Sequence, residues 1–72
     1  MTMDLRAIAK IEYGGMKPAH LRAIRERLNL SQVGLAKRLG VAGPTVNRWE
    51  RGARRIPVSV ERFLYVMDGG DA

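Results

Sequence analysis

The side chains with chemistry to offer are mostly cationic, and they cluster. Between Lys17 and Arg55 stand ten basic residues (Lys17, Arg22, Arg25, Arg27, Lys37, Arg38, Arg48, Arg51, Arg54 and Arg55) against Glu26 and Glu50. That segment carries +8, while the rest of the 72-residue chain sums to −2. Eight of the ten are Arg, whose planar fork pairs with phosphate through two bonds. A polyanionic partner suits such a surface, though a solvated basic face has the same composition.

Reaction chemistry finds little footing. The chain has no cysteine and a single histidine, His20. No second ligand-type residue stands at metal spacing from it, and no paired carboxylates lie near. Neither a catalytic set nor a metal centre is expected, and no cofactor or small-molecule ligand is implied. No apolar run approaches the roughly 18 residues of a membrane span. Asp4, Arg6, Lys10 and Glu12 interrupt any signal-peptide pattern, which points to the cytoplasm. A chain this short makes one small domain that buries only about 60% of its unfolded surface, so pairing of two copies would add stability.

Helical patterns must position the basic residues. Leu21, Ile24 and Leu28 recur at i, i+3, i+7 and predict a first helix from Pro18 to Leu28. Asn29 can adopt the left-handed conformation that ends it, with Leu30 folding back. Ser31 offers an N-cap to a second helix, whose inner face is Leu35, Ala36 and Leu39 and whose stop is Gly40. Gly34 weakens that helix by about 1 kcal/mol relative to Ala. A third helix begins at Gly43 or Pro44; with Gly43 as N-cap, Pro44 would take the first helical position. Val46 and Trp49 face inward, and Gly52 ends it. Arg54-Arg55-Ile56-Pro57 connects to a fourth helix marked by Val60, Phe63, Leu64 and Met67 and stopped by Gly69-Gly70. Tyr65 and Val66 fall off that stripe.

Residues 1–15 read as an N-terminal arm. Leu5, Ala7, Ala9, Ile11 and Tyr13 alternate with polar residues as a β-strand would, while Leu5, Ile8 and Ala9 also fit a helix face. Residues 16–68 form the helical domain and 69–72 a flexible tail.

The tight punctuation Leu39-Gly40-Val41-Ala42-Gly43-Pro44 suggests that the angle between the second and third helices matters. Ala36 sits where two crossing helices touch, Gly40 allows the turn, and Leu35, Leu39, Val41, Val46 and Trp49 pin both helices to one core. The expected result is two helices at about 90–120°, the second free to enter a major groove.

The segment "LRAIRERLNLSQVGLAKRLGVAGPTVNRWERG" resembles the Cro- and phage-repressor-like helix-turn-helix domains. The likeness is strong from Leu21 to Gly52 and weaker to Met67, with "LSQ", "LAKRLGV", "TV" and "RWERG" closest. It implies an all-α, four-helix, lambda-repressor-like fold that binds double-stranded DNA as a homodimer, a repressor on an inverted-repeat operator. It further implies base contacts from Thr45, Asn47, Arg48, Pro44 and Gly43 on the third helix, and a phosphate contact from Gln32. Arg25 and Glu50 match a buried salt bridge between the first and third helices. Arg51, Arg54 and Arg55, beyond the third helix, suit phosphates.

Two departures stand out. Gly43 and Pro44 occupy positions where relatives carry base-reading polar side chains, so readout leans on Thr45, Asn47 and Arg48. The pattern also stops before the family's usual fifth helix, so the arm is expected to substitute as the dimer contact, with the fourth helix through Tyr65 and Val66 as the alternative. The alternative function is a protein-binding module, such as an antitoxin-like partner.

Overall fold

A left-handed residue closes each helix, and these stops divide the chain. The computed structural model describes residues 12–69, and four helices follow one another in it: α1 (Pro18–Arg27), α2 (Gln32–Leu39), α3 (Gly43–Glu50) and α4 (Val58–Met67). Asn29 lies at φ 57°, Gly40 at 72°, Gly52 at 74° and Gly69 at 78°. After α1, the Leu30 N–H donates to the Arg25 carbonyl (3.2 Å) and the Asn29 N–H to that of Glu26 (3.0 Å). Gly40 and Val41 close α2 in the same way, and Gly52 and Ala53 close α3. These bonds satisfy carbonyls that a helix end would otherwise leave unpaired.

At the other ends, only α2 has a side-chain cap. The Ser31 hydroxyl accepts from the Gly34 N–H at 2.9 Å. Gly34 is therefore more than a weak point: a Cβ there would stand 3.1 Å from that hydroxyl and crowd the cap. The N-cap of α3 is Ala42, without a side-chain bond, which puts Gly43 first and Pro44 second in the helix. Pro44 thus sits one position later than the Gly43-capped reading, still within the first turn, where its missing N–H costs no helical bond.

Leu21 and Ile24 of α1, Leu35 and Ala36 of α2, Val46 and Trp49 of α3, and Val60 and Leu64 of α4 make the core. Leu28, Leu39, Val41 and Met67 pack partly buried around it. The expectation fails at Phe63, which is 43% exposed. The inner stripe of α4 runs Val60, Leu64, Met67 at i, i+4, i+7, and Phe63, one residue before Leu64, is turned about 100° away from it. Met16 and Ile56, from connecting segments, complete the core.

The start of the described chain lies against α4. The Val58 N–H donates to the Glu12 carbonyl at 2.7 Å, and Tyr13 forms an isolated antiparallel bridge with Pro57. Residues 1–11 of the arm fall outside the described residues, as do the last three residues of the tail. At the far side, Arg27 Nη2 meets Asp68 Oδ2 at 2.6 Å and ties the end of α1 to the end of α4. No described helix is long and apolar enough to cross a membrane.

Candidate nucleic-acid interface

Three residues, Gly40 to Ala42, separate α2 from α3. Ala36 is fully buried, as expected where the two helices meet. The inward positions of α3 are Val46 and Trp49, so its remaining side chains are sorted by rotation about the axis. Pro44 and Arg48 are exposed, whereas Thr45 and Asn47 are half-buried on the flanks. Gly43 is also half-buried, but a Cβ built on it would meet only Val33 Cγ2, at an ordinary 3.7 Å. Arg51, Arg54 and Arg55 are exposed beyond the helix end. Arg48, Arg51 and Arg54 make no side-chain hydrogen bond or ion pair among the described residues.

The single acid of α3 is turned inward. Arg25 Nε donates to Glu50 Oε2 at 2.6 Å and Arg25 Nη2 to Glu50 Oε1 at 3.0 Å, a two-bond pair. Arg25 Nη1 also donates to the Leu30 carbonyl at 2.9 Å, which anchors the α1–α2 turn. The two side chains are only 13% and 5% exposed, so this pair behaves as a buried one.

Burial pushes the Glu50 carboxyl up, but the hydrogen bonds from Arg25 and Gln32 and the charges of Arg25 and Arg22 outweigh it and hold it below its ordinary value of 4.5. Unfolded Glu50 therefore takes up a proton before folded Glu50 does. Its contribution to stability is complete above pH about 4.5 and is lost as pH falls through the lower folded value. Thermal melts between pH 6 and pH 3 should show wild type losing stability over the acid part of that range. Glu50→Gln should lose less, because among the described residues it leaves Asp68, held low by its hydrogen bond from Arg27, as the other carboxyl with a lowered value. Parallel profiles would rule out Glu50 as a source of the acid sensitivity.

Two neighbours extend this pair to the surface. Gln32 Nε2 donates to Glu50 Oε1 at 3.3 Å, and Asn47 Nδ2 donates to Gln32 Oε1 at 3.2 Å. Gln32 and Asn47 are thus brought together, a contact that spacing within either helix could not reveal. Gln32 spends one amide hydrogen inward and keeps the other.

Tyr13 is the participant that sequence reasoning missed. Its bridge to Pro57 carries it to the far end of α3, where the Arg55 guanidinium lies 4.8 Å from its ring centroid. A cleft of about 370 Å³ opens there, lined by Tyr13, Thr45, Trp49, Arg54, Arg55 and Pro57. Two guanidinium groups and a hydroxyl beside an aromatic wall can hold an anion. The only sequence signal was that the alternation of the arm stops at Tyr13, immediately before Gly14-Gly15. Thr45, Arg54 and Arg55 share this cleft, while Arg48 and Asn47 lie outside its lining.

Two helices joined by so short a turn, the second with one side free of the core, form the arrangement of the helix-turn-helix class of DNA-binding domain. The helix-turn-helix family model matches residues 21–61, and the chain belongs to that family, in its Cro- and phage-repressor-type branch of DNA-binding transcription regulators. No curated protein matches the chain.

Proposed function

We propose that the protein is a sequence-specific repressor that binds an inverted-repeat operator as a homodimer, with α3 in the major groove of each half-site. One observation carries this reading: the outward side of α3 bears Arg48, without an ion-pair partner among the described residues and flanked by Arg51, Arg54 and Arg55, while Glu50 faces inward against Arg25. An acid left outward would repel phosphate, and here none is. Arg48, Asn47 and Thr45 read base edges, with Pro44 and Gly43 close to the bases but without hydrogen-bonding side chains. Gln32, Arg51, Arg54 and Arg55 hold phosphates.

Titration against random-sequence duplex at several salt concentrations tests the phosphate part. Three arginine contacts from each subunit of the dimer, Arg51, Arg54 and Arg55, give a slope of log affinity on log salt of about −5. Selection from a random duplex pool tests the rest. The recovered sites should contain two inverted half-sites with centres about 10 bp apart, or a multiple of that. A flat salt dependence would favour the protein-binding alternative.

A further inference from the structure

We infer that Tyr13 is a positioning residue for DNA binding: its ring holds the Arg55 guanidinium in the cleft beside α3, so that a backbone phosphate meets a cation already in place. The inference rests on the reading that Arg54 and Arg55 hold phosphates. Arg55 is an exposed, long side chain in a connector, and freezing such a chain on binding costs entropy. An arginine can be held beforehand in two ways. Arg22, Arg25 and Arg27 are held by Glu26, Glu50 and Asp68, and each carboxylate occupies N–H donors and offsets the charge. No carboxylate among the described residues pairs with Arg55. The Tyr13 ring lies against it instead, with the guanidinium over the ring at 4.8 Å from the centroid. That attraction comes from the quadrupole of the ring, so the positive charge is not cancelled. Arg55 is held and still carries what a phosphate needs.

A ring can do this only if its own backbone is fixed. Tyr13 bridges Pro57, two residues past Arg55. Before it, the Glu12 carbonyl accepts from the Val58 N–H at 2.7 Å. After it, Gly14 runs so close to α4 that an added Cβ would stand 3.0 Å from Val58 Cγ2 and run into the Glu61 carboxylate. Thr45 and Arg54 line the same cleft, so the held guanidinium stands among the other groups that a phosphate would meet.

The first measurement is proton NMR of the free full chain. The ring current of Tyr13 should shift the Arg55 side-chain protons upfield, in Tyr13→Phe as in wild type. Unshifted Arg55 protons in wild type overturn the inference. The second is binding to operator and random duplex at several salt concentrations, with sedimentation of each protein. Tyr13→Ile removes the ring but keeps a residue suited to extended backbone. It should weaken both duplexes about two- to fivefold per subunit, the worth of an exposed cation–ring contact, with the salt slope kept. Tyr13→Phe should bind as wild type does. Arg55→Ala should flatten the slope by about one unit per subunit, and adding Tyr13→Ile to it should cost nothing more. Equal losses in Tyr13→Phe and Tyr13→Ile would make the Tyr13 hydroxyl a direct phosphate ligand. A further loss in the double variant would mean that Tyr13 acts elsewhere than on Arg55. Conversion of Tyr13→Ile from dimer to monomer would assign its loss to pairing. Each of these overturns the inference. If Arg55→Ala leaves the slope unchanged, or wild type binds duplex without salt dependence, the phosphate reading itself fails, and this inference falls with it.

Discussion

Replacing Glu50 with Ala should lower the melting temperature by more than about 10 °C. The substitution leaves the Arg25 guanidinium buried with only the Leu30 carbonyl as partner. Stranding one member of a buried pair typically costs about 3–5 kcal/mol. In a domain of this size each kcal/mol moves the midpoint by about 4–8 °C, so the loss consumes much of a total stability that is itself only about 5–15 kcal/mol. Glu26→Ala is the control. Glu26 pairs with Arg22 one turn away, at 3.1 Å, with both side chains more than 60% exposed, and such pairs are worth about 0.3–0.5 kcal/mol. Circular-dichroism melts of the two variants at neutral pH decide the matter. Comparable shifts would mean that Glu50 is no more than a solvated carboxylate.

The second large effect separates reading from holding. Arg48→Ala should reduce affinity for the selected operator about 5- to 150-fold for each half-site while leaving most random-duplex binding intact. Arg48 is exposed on α3 next to the inward Trp49 and has no partner to release among the described residues, so its guanidinium is available to guanine O6 and N7, a pair worth about 1–3 kcal/mol of discrimination. Arg54 stands past the left-handed Gly52, in the cleft beside Tyr13, away from the helix axis. Arg54→Ala should weaken operator and random duplex alike and flatten the salt slope by about one unit for each subunit bound, about two for the dimer. Competition assays at two salt concentrations distinguish the two. An unchanged ratio of operator to random binding in Arg48→Ala would make Arg48 a phosphate clamp and pass the reading to Asn47 and Thr45.

How much of this was readable in the sequence depended on distance along the chain. Asn29, Gly40, Gly52 and Gly69 each mark a helix end because the bonds that close a helix reach back only three to five residues, and the residue types that tolerate positive φ are few. The faces of α1 to α3 followed from apolar spacing, for the same local reason. Periodicity was weaker in α4, where Phe63 and Leu64 are adjacent and only packing against the other helices selects Leu64. Ile56 and Met16 lie in connectors, where no repeat announces burial. At the site, the outward residues of α3 followed from finding the inward ones. The contact between Gln32 and Asn47 did not, because it joins separate helices and depends on where their ends meet. Tyr13 reached the cleft through one backbone bridge, which leaves no trace in composition.

Gly43 gives the domain room to change its target. The first residue of α3 has no side chain, yet neither backbone conformation nor space demands a glycine there, since an added Cβ would make one ordinary contact with Val33. A helix start normally carries some of the discrimination, and here that share is unassigned. One nucleotide change in the coding sequence can convert a glycine codon to serine, arginine or aspartate. A lineage carrying this domain can therefore acquire a new base preference in a single step without repacking the core and without first surrendering an existing contact. The same vacancy makes Gly43 the natural first position to randomise in retargeting the protein to a chosen operator.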